Sequence, residues 1–132
     1  MDLGLTDKVV IVTGGGAGIG GAVSLALAQE GAVPVIFGRS PLSDDFSVRL
    51  AALSPCARFI RVELTDDDAC KAAVEETASA FGRIDGLVNN AGVNDGVGLD
   101  AGPKAFRESL ERNLIHYYVV AHHALPWLRA AR

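Results

Sequence analysis

Cysteine is scarce: Cys56 and Cys70 are the only two in 132 residues, with no C-x-x-C spacing and no histidine cluster beside either. That excludes a disulfide framework and a zinc ribbon, and leaves both as reduced, structural thiols. Charge of one sign is also lacking. Twelve Lys and Arg against sixteen Asp and Glu give a net charge of −4, so nothing in the electrostatics favours nucleic acid or an anionic membrane as partner. No apolar run approaches the length of a membrane span. Met1-Asp2-Leu3-Gly4 has neither the basic nor the apolar region of a signal peptide, which makes a cytoplasmic address the default. The three histidines, His116, His122 and His123, have no third ligand at metal-binding spacing, so no metal is expected and they read as surface or interface residues.

What the chain does have is an ordinary globular composition, 49% hydrophobic and 21% charged, in a length that allows one domain, residues 1–132. Apolar runs alternate with helical patterns, the signature of βαβ units on a parallel sheet. Strands are expected at about Lys8–Thr13, Val33–Phe37, Ala57–Val62 and Ile84–Asn89. Helices are expected at Ala17–Glu30 (ending at Gly31), Asp44–Leu53 (capped by Ser43), Asp66–Phe81 (beginning at Thr65) and, as one long element, Lys104–Leu128, with Pro126 loosening its last turns. Right-handed crossovers then give an α/β doubly wound parallel sheet of Rossmann type with strand order 3-2-1-4.

The most informative stretch is Val12-Thr13-Gly14-Gly15-Gly16-Ala17-Gly18-Ile19-Gly20, directly after the first apolar run. A glycine-rich turn between a buried strand and a helix is where such folds receive a pyrophosphate, on the free N–H groups and positive dipole of the helix start. The strand-end form G-x-G-x-x-G would need glycine at position 19, which is Ile19. Gly14, Gly18 and Gly20 fit the pattern T-G-x-x-x-G-x-G instead, with Gly16 inside the turn. A βα turn that binds nothing is the bland alternative. An acidic residue at the end of the second strand would hold the ribose of NAD; here that end reads Gly38-Arg39-Ser40. A guanidinium can grip a 2′-phosphate, so NADP is expected over NAD, against the alternative of a solvated loop arginine.

These glycines, the Asn89-Asn90-Ala91-Gly92 sequence after the fourth strand, and Asn113 in Glu111-Arg112-Asn113-Leu114 together resemble the short-chain dehydrogenase/reductase family over nearly the whole chain. The resemblance implies NAD(P)-linked hydride transfer between nicotinamide and an alcohol or carbonyl. It implies cofactor contacts from Thr13, Gly14, Gly16, Gly18, Ile19, Gly20, Arg39 and Ser40. It adds Glu63 and Leu64 at the adenine, where the family usually has aspartate, and Asn90, Ala91 and Gly92 behind the adenine-side ribose. Asn89 is expected to tie adjacent strands. Asn113 is the catalytic position with a family match, an asparagine that holds a relay water. The family's serine and Tyr-x-x-x-Lys pair belong to later elements, so this stretch alone is expected to be inactive and to represent the N-terminal portion of a longer chain. Tyr117 and Tyr118 are not followed by lysine at the required spacing and read as packing residues.

The loop Val93–Gly102 with the segment Glu111–Tyr118 is similar to the family's sugar dehydrogenases, particularly those oxidising L-fucose and related aldoses. Asn94 and Asp95 then become candidate sugar contacts, though Asn-Asp-Gly is also a strong turn signal. Family members associate through the last helix of this region. Phe106, Leu110, Leu114 and Tyr117 would suit such a homo-oligomer interface, or equally a core face against the sheet.

Overall fold

The computed structural model describes residues 1–131. A four-stranded parallel sheet in the order β3-β2-β1-β4 forms the middle layer. Its strands are β1 (Val9–Thr13), β2 (Val33–Gly38), β3 (Arg58–Arg61) and β4 (Gly86–Val88). Helices α1 (Gly18–Gln29) and α2 (Asp44–Leu53) cover one face. Helices α3 (Asp67–Phe81) and α5 (His116–Ala130) cover the other and pack on each other. Between β4 and α5 come a short 3-10 turn (Leu99–Ala101), helix α4 (Pro103–Leu110) and one turn of π-helix (Glu111–Ile115).

A strand covered on both faces loses the apolar–polar alternation, and β1 is buried at every residue. Val9 and Ile11 meet Val35, Phe37, Val74, Val120 and Ala124 in the larger core; Ile36 packs with Ala28, Phe46 and Leu50 on the other side. Each fully buried side chain of this size is worth roughly 2 kcal/mol of transfer free energy. Pro34 lies in β2 opposite Val10 of β1. The Val33 N–H donates to the Lys8 carbonyl on the β1 side, so the missing donor of Pro34 faces β3, whose pairing begins only at Val35.

The helix starts follow the expected chemistry with one shift. Ser43 Oγ accepts the Phe46 N–H at 3.2 Å, and Gly31 takes a φ of +85° just beyond α1. In α3 the cap is Asp66, whose Oδ1 accepts the Ala69 N–H at 3.1 Å; Thr65 lies one residue outside. All four strands differ from their expected spans: β1 loses Lys8, β2 gains Gly38, and β3 and β4 lose residues at both ends. The expected helix over Lys104–Leu128 is divided, because the chain between Leu110 and His116 widens into the π turn. Pro126 does not end α5, which runs on to Ala130.

Asp85 sets β4 against β1. Its Oδ2 accepts the Val9 N–H at 2.8 Å, and Arg83 closes a two-pronged ion pair on it at 2.7 Å. The Arg83 hydrogen bond, reinforced by the Val9 N–H, holds this carboxyl below the usual carboxylate range. Cys70 is buried, and burial first, then Asp67, Asp66 and Glu63, pushes its thiol up to about 11; Cys56 lies exposed instead.

Candidate functional site

The C-terminal ends of the strands open into a cleft of about 400 Å³. Gly14, Ala17 and Ile19 form its floor, Gly38, Arg39 and Glu63–Thr65 one end, and Asn90–Val93, Arg112 and His116 the other. An adjoining hollow of similar size shares Gly14, Ala17, Gly38 and Arg39 with it and adds Gly16, Ser40 and Ser43.

The floor is shaped by missing side chains. Gly14 has a φ of +65°, and a Cβ there would stand 2.9 Å from Ala91 Cα. Gly18 has a φ of +56° with open space around it, so conformation rather than room demands glycine. At Gly20 a Cβ would overlap the Gly14 carbonyl oxygen and Asn90 Nδ2. Buried Ser24 donates to the Gly15 carbonyl at 2.8 Å and pins the turn to α1. That helix starts at Ala17 with no side-chain cap and no acidic residue in its first turn. Its free N–H groups face a cradle that a Cβ would fill, which fits an anionic pyrophosphate.

The seam to β4 is polar. Thr13 Oγ1 accepts the N–H groups of Asn90 and Ala91 at 3.0 and 3.1 Å. Asn90 Nδ2 in turn donates to the carbonyls of Thr13 and Gly14 at 3.2 and 3.1 Å. Asn90 is therefore the residue that ties the two strand ends together. Asn89, expected in that role, donates to the Tyr117 carbonyl at 3.1 Å and anchors α5. Thr13 and Gly20 do not line the cleft: Thr13 bolts its two sides together and Gly20 lets α1 approach.

On the far side, Asn113 sits in the π turn. Its Oδ1 accepts the Val93 N–H at 2.7 Å, and its Nδ2 donates to the Ser109 carbonyl at 3.1 Å. With both ends of the amide engaged, Asn113 shapes the rim rather than presenting a free side chain, and a Cβ on Gly92 would come within 2.9 Å of it. Asp95 is not among the residues that line the cleft. Arg112 holds it from Nη2 and Nε at 2.8 and 3.2 Å, and that pair keeps the Asp95 carboxyl below its usual range. Asn94 is exposed in the same loop. Sequence patterns named neither Arg112 nor His116 as cleft residues, since neither belongs to a recognisable spacing.

Several other expectations are corrected. His116 is buried, at 1% exposure, rather than a surface residue. His122 and His123, adjacent on α5, have ring centroids 4.9 Å apart. Tyr118 is 73% exposed and stacks on His122, so of the two tyrosines only half-buried Tyr117 packs. Phe106 and Leu114 are 56% and 54% exposed and so are not core, while Leu110 and Tyr117 of the same stripe are half-buried. Glu63, expected at the adenine, does line the cleft; it is exposed and accepts a hydrogen bond from Thr65 Oγ1 at 3.0 Å.

The family profile described as "short chain dehydrogenase" matches residues 8–132. Among curated proteins, L-fucose dehydrogenase of Bos taurus is 37% identical over 128 residues, covering 95% of this chain and 46% of that protein. Among solved structures, that of Cj0485 dehydrogenase superposes with a TM-score of 0.95 at 36% identity, over 98% of this chain and 50% of that one. The NADH-dependent reductase A1-R′, solved in complex with NAD, gives a TM-score of 0.87 at 29% identity, over 99% of this chain and 56% of the reductase. The chain spans about half the length of the curated relatives it matches.

Proposed function

The chain belongs to the short-chain dehydrogenase family, and on that premise we propose that it is the dinucleotide-binding portion, residues 1–132, of an NAD(P)-dependent oxidoreductase that acts on an alcohol or carbonyl group of a sugar such as L-fucose. The observation that carries the reading is the β1–α1 turn, where Gly14, Gly18 and Gly20 clear a path to the uncapped start of α1. The pyrophosphate rests there, on backbone N–H groups. Glu63 and Leu64 border the adenine, and the backbone of Asn90, Ala91 and Gly92 backs the adenine-side ribose. When bound, the nicotinamide supplies or receives the hydride; the chain's own residues bind and orient it and exclude water from the floor. Asn113 contributes as a positioning residue, holding Val93 at the reactive rim. The acid–base pair of the reaction lies outside these residues, so a polypeptide ending at Arg132 would bind cofactor without turnover.

NADP is the preferred cofactor in this reading. Arg39 is exposed at the end of β2 and makes no ion pair among the described residues, leaving its guanidinium free for a 2′-phosphate beside Ser40. Parallel calorimetric titrations test this. NADP⁺ should bind at least about tenfold tighter than NAD⁺, 1.4 kcal/mol, and Arg39→Ala should erase the difference. Equal binding by the unaltered protein would make Arg39 an ordinary loop residue.

A sugar substrate is supported by the L-fucose dehydrogenases among the relatives. Asn94 remains the loop's candidate contact, whereas Asp95 acts by anchoring the loop to Arg112. The exposed Phe106 and Leu114 suit contact with a second copy of the chain. A cytoplasmic address accompanies this reading. No helix among the described residues is long and apolar enough to cross a membrane.

A further inference from the structure

Ser24 is buried on α1, at 0% exposure, and reaches back to the turn that precedes its own helix. Its Oγ lies 2.8 Å from the Gly15 carbonyl oxygen and 3.0 Å from that of Gly20. A hydroxyl has one proton to give, and the shorter contact, to Gly15, is the one that joins helix to turn. No other donor among the described residues reaches the Gly15 carbonyl. The approach is close: a Cβ on Gly15 would stand 2.7 Å from Ser24 Oγ.

A peptide unit is planar and trans, so the carbonyl of Gly15 and the N–H of Gly16 point in opposite directions within one plane. Drawing the carbonyl inward onto α1 therefore turns the Gly16 N–H outward. That N–H has no hydrogen-bond partner among the described residues. Gly16 is half-buried and lines the hollow that also holds Arg39, Ser40 and Ser43. A Cβ on Gly16 would meet Leu42, part of the same hollow's wall, at 2.7 Å. Arg39, without an ion pair among the described residues, supplies the positive charge there.

We infer that Ser24 is a positioning residue for the cofactor: through the Gly15–Gly16 peptide it aims one backbone N–H at the 2′-phosphate of the adenosine ribose, in the hollow that Arg39 shares. A phosphate monoester suits the place because its separate oxygens accept from a neutral N–H and from a guanidinium together. The inference rests on the NADP reading of this hollow. It adds a residue that is too deeply buried to touch the ligand and belongs to no glycine or asparagine motif.

The experiment is calorimetry on the intact natural polypeptide with NADP⁺ and NAD⁺, which differ only by that phosphate. Ser24→Ala should weaken NADP⁺ by about tenfold, the scale of one hydrogen bond to a charged group, and NAD⁺ by less than about twofold. Ser24→Thr, which keeps the hydroxyl, should restore most of the loss. A serine that merely stabilises the turn would lower both affinities together, so an equal loss, or none, overturns the inference. Because both variants alter a buried site, the unaltered protein gives a second test. With ¹⁵N-labelled protein, the Gly16 amide proton should move downfield on adding NADP⁺ and much less with NAD⁺; equal shifts, or no shift, overturn the inference. If neither dinucleotide binds the unaltered protein, the dinucleotide reading falls; if NADP⁺ binds no tighter than NAD⁺, the NADP reading falls; either takes this inference with it. If NADP⁺ is preferred and the preference survives Ser24→Ala, the inference falls alone.

Discussion

The cleft has two walls built on opposite plans. The wall at the β1–α1 turn is made by subtraction: Gly14 and Gly20 leave no room for a Cβ, Gly18 takes a positive φ, and the turn's own surface is backbone. The wall from β4 to α5 is made by addition. Asn89, Asn90, Asp95, Arg112, Asn113 and His116 each hold a backbone or side-chain partner at hydrogen-bond distance. The first wall has no room for an added atom at Gly14 or Gly20, and the second depends on side-chain atoms that are already engaged. A shared bolt joins them, Thr13 Oγ1, with two N–H groups on a single hydroxyl.

That contrast can be broken most severely at Gly20. Gly20→Ala forces a methyl against the Gly14 carbonyl, which is backbone, and the Asn90 amide, which two hydrogen bonds hold in place. We expect about 3 kcal/mol of lost stability, the upper range for overpacking, together with loss of dinucleotide binding. Thermal denaturation with a parallel titration reads both, and a fully stable, binding-competent Gly20→Ala would show that the first wall yields. The bolt comes next. Thr13→Val keeps the shape but strands two N–H groups, for about 2 kcal/mol, while Thr13→Ser, which keeps the hydroxyl, should cost less than half of that. Equal denaturation midpoints for the two variants would mean that the hydroxyl does not join the walls.

The smallest effect separates the walls by pH. Asp95 has its folded-state pKa lowered from 3.8 by the Arg112 pair, so its contribution is whole above that value and lost as pH falls through the folded one. Amide exchange at Val97, whose N–H donates to Asp95 Oδ1, should quicken below about pH 4. The β1–α1 turn contains no titratable residue and should keep its exchange rates until the sheet itself weakens, as Asp85 is protonated in the same direction. Simultaneous loosening of turn and loop would tell against two independently built walls.

The difference in plan also explains what the sequence disclosed. A wall made of absences is visible as glycine spacing, because no other residue satisfies a positive φ or a blocked Cβ. Strand order, the Ser43 cap and the Gly31 stop were legible for similar local reasons. The second wall depends on which side chain reaches which carbonyl, and spacing does not carry that. Asn89 and Asn90 are adjacent and chemically identical, yet one binds α5 and the other binds β1, according to the alternating sides of a strand's end. The broken helix was hidden as well. No glycine or proline lies between Lys104 and Leu125, so nothing local marks the widening at Glu111–Ile115.

That π turn has an effect on everything after it. Fitting more residues into one turn than the usual 3.6 offsets the angular count around the axis, by about 100° for each extra residue. It works as a phase shifter between two helices that share one line of sequence. Helix α4 buries no residue, while α5 turns His116, Val120 and Ala124 inward as a regular row four residues apart. The two helices therefore answer to separate alphabets: substitutions that suit the outward face of α4 place no demand on α5, and the packing against α3 can be kept while the rim beside the loop is rewritten.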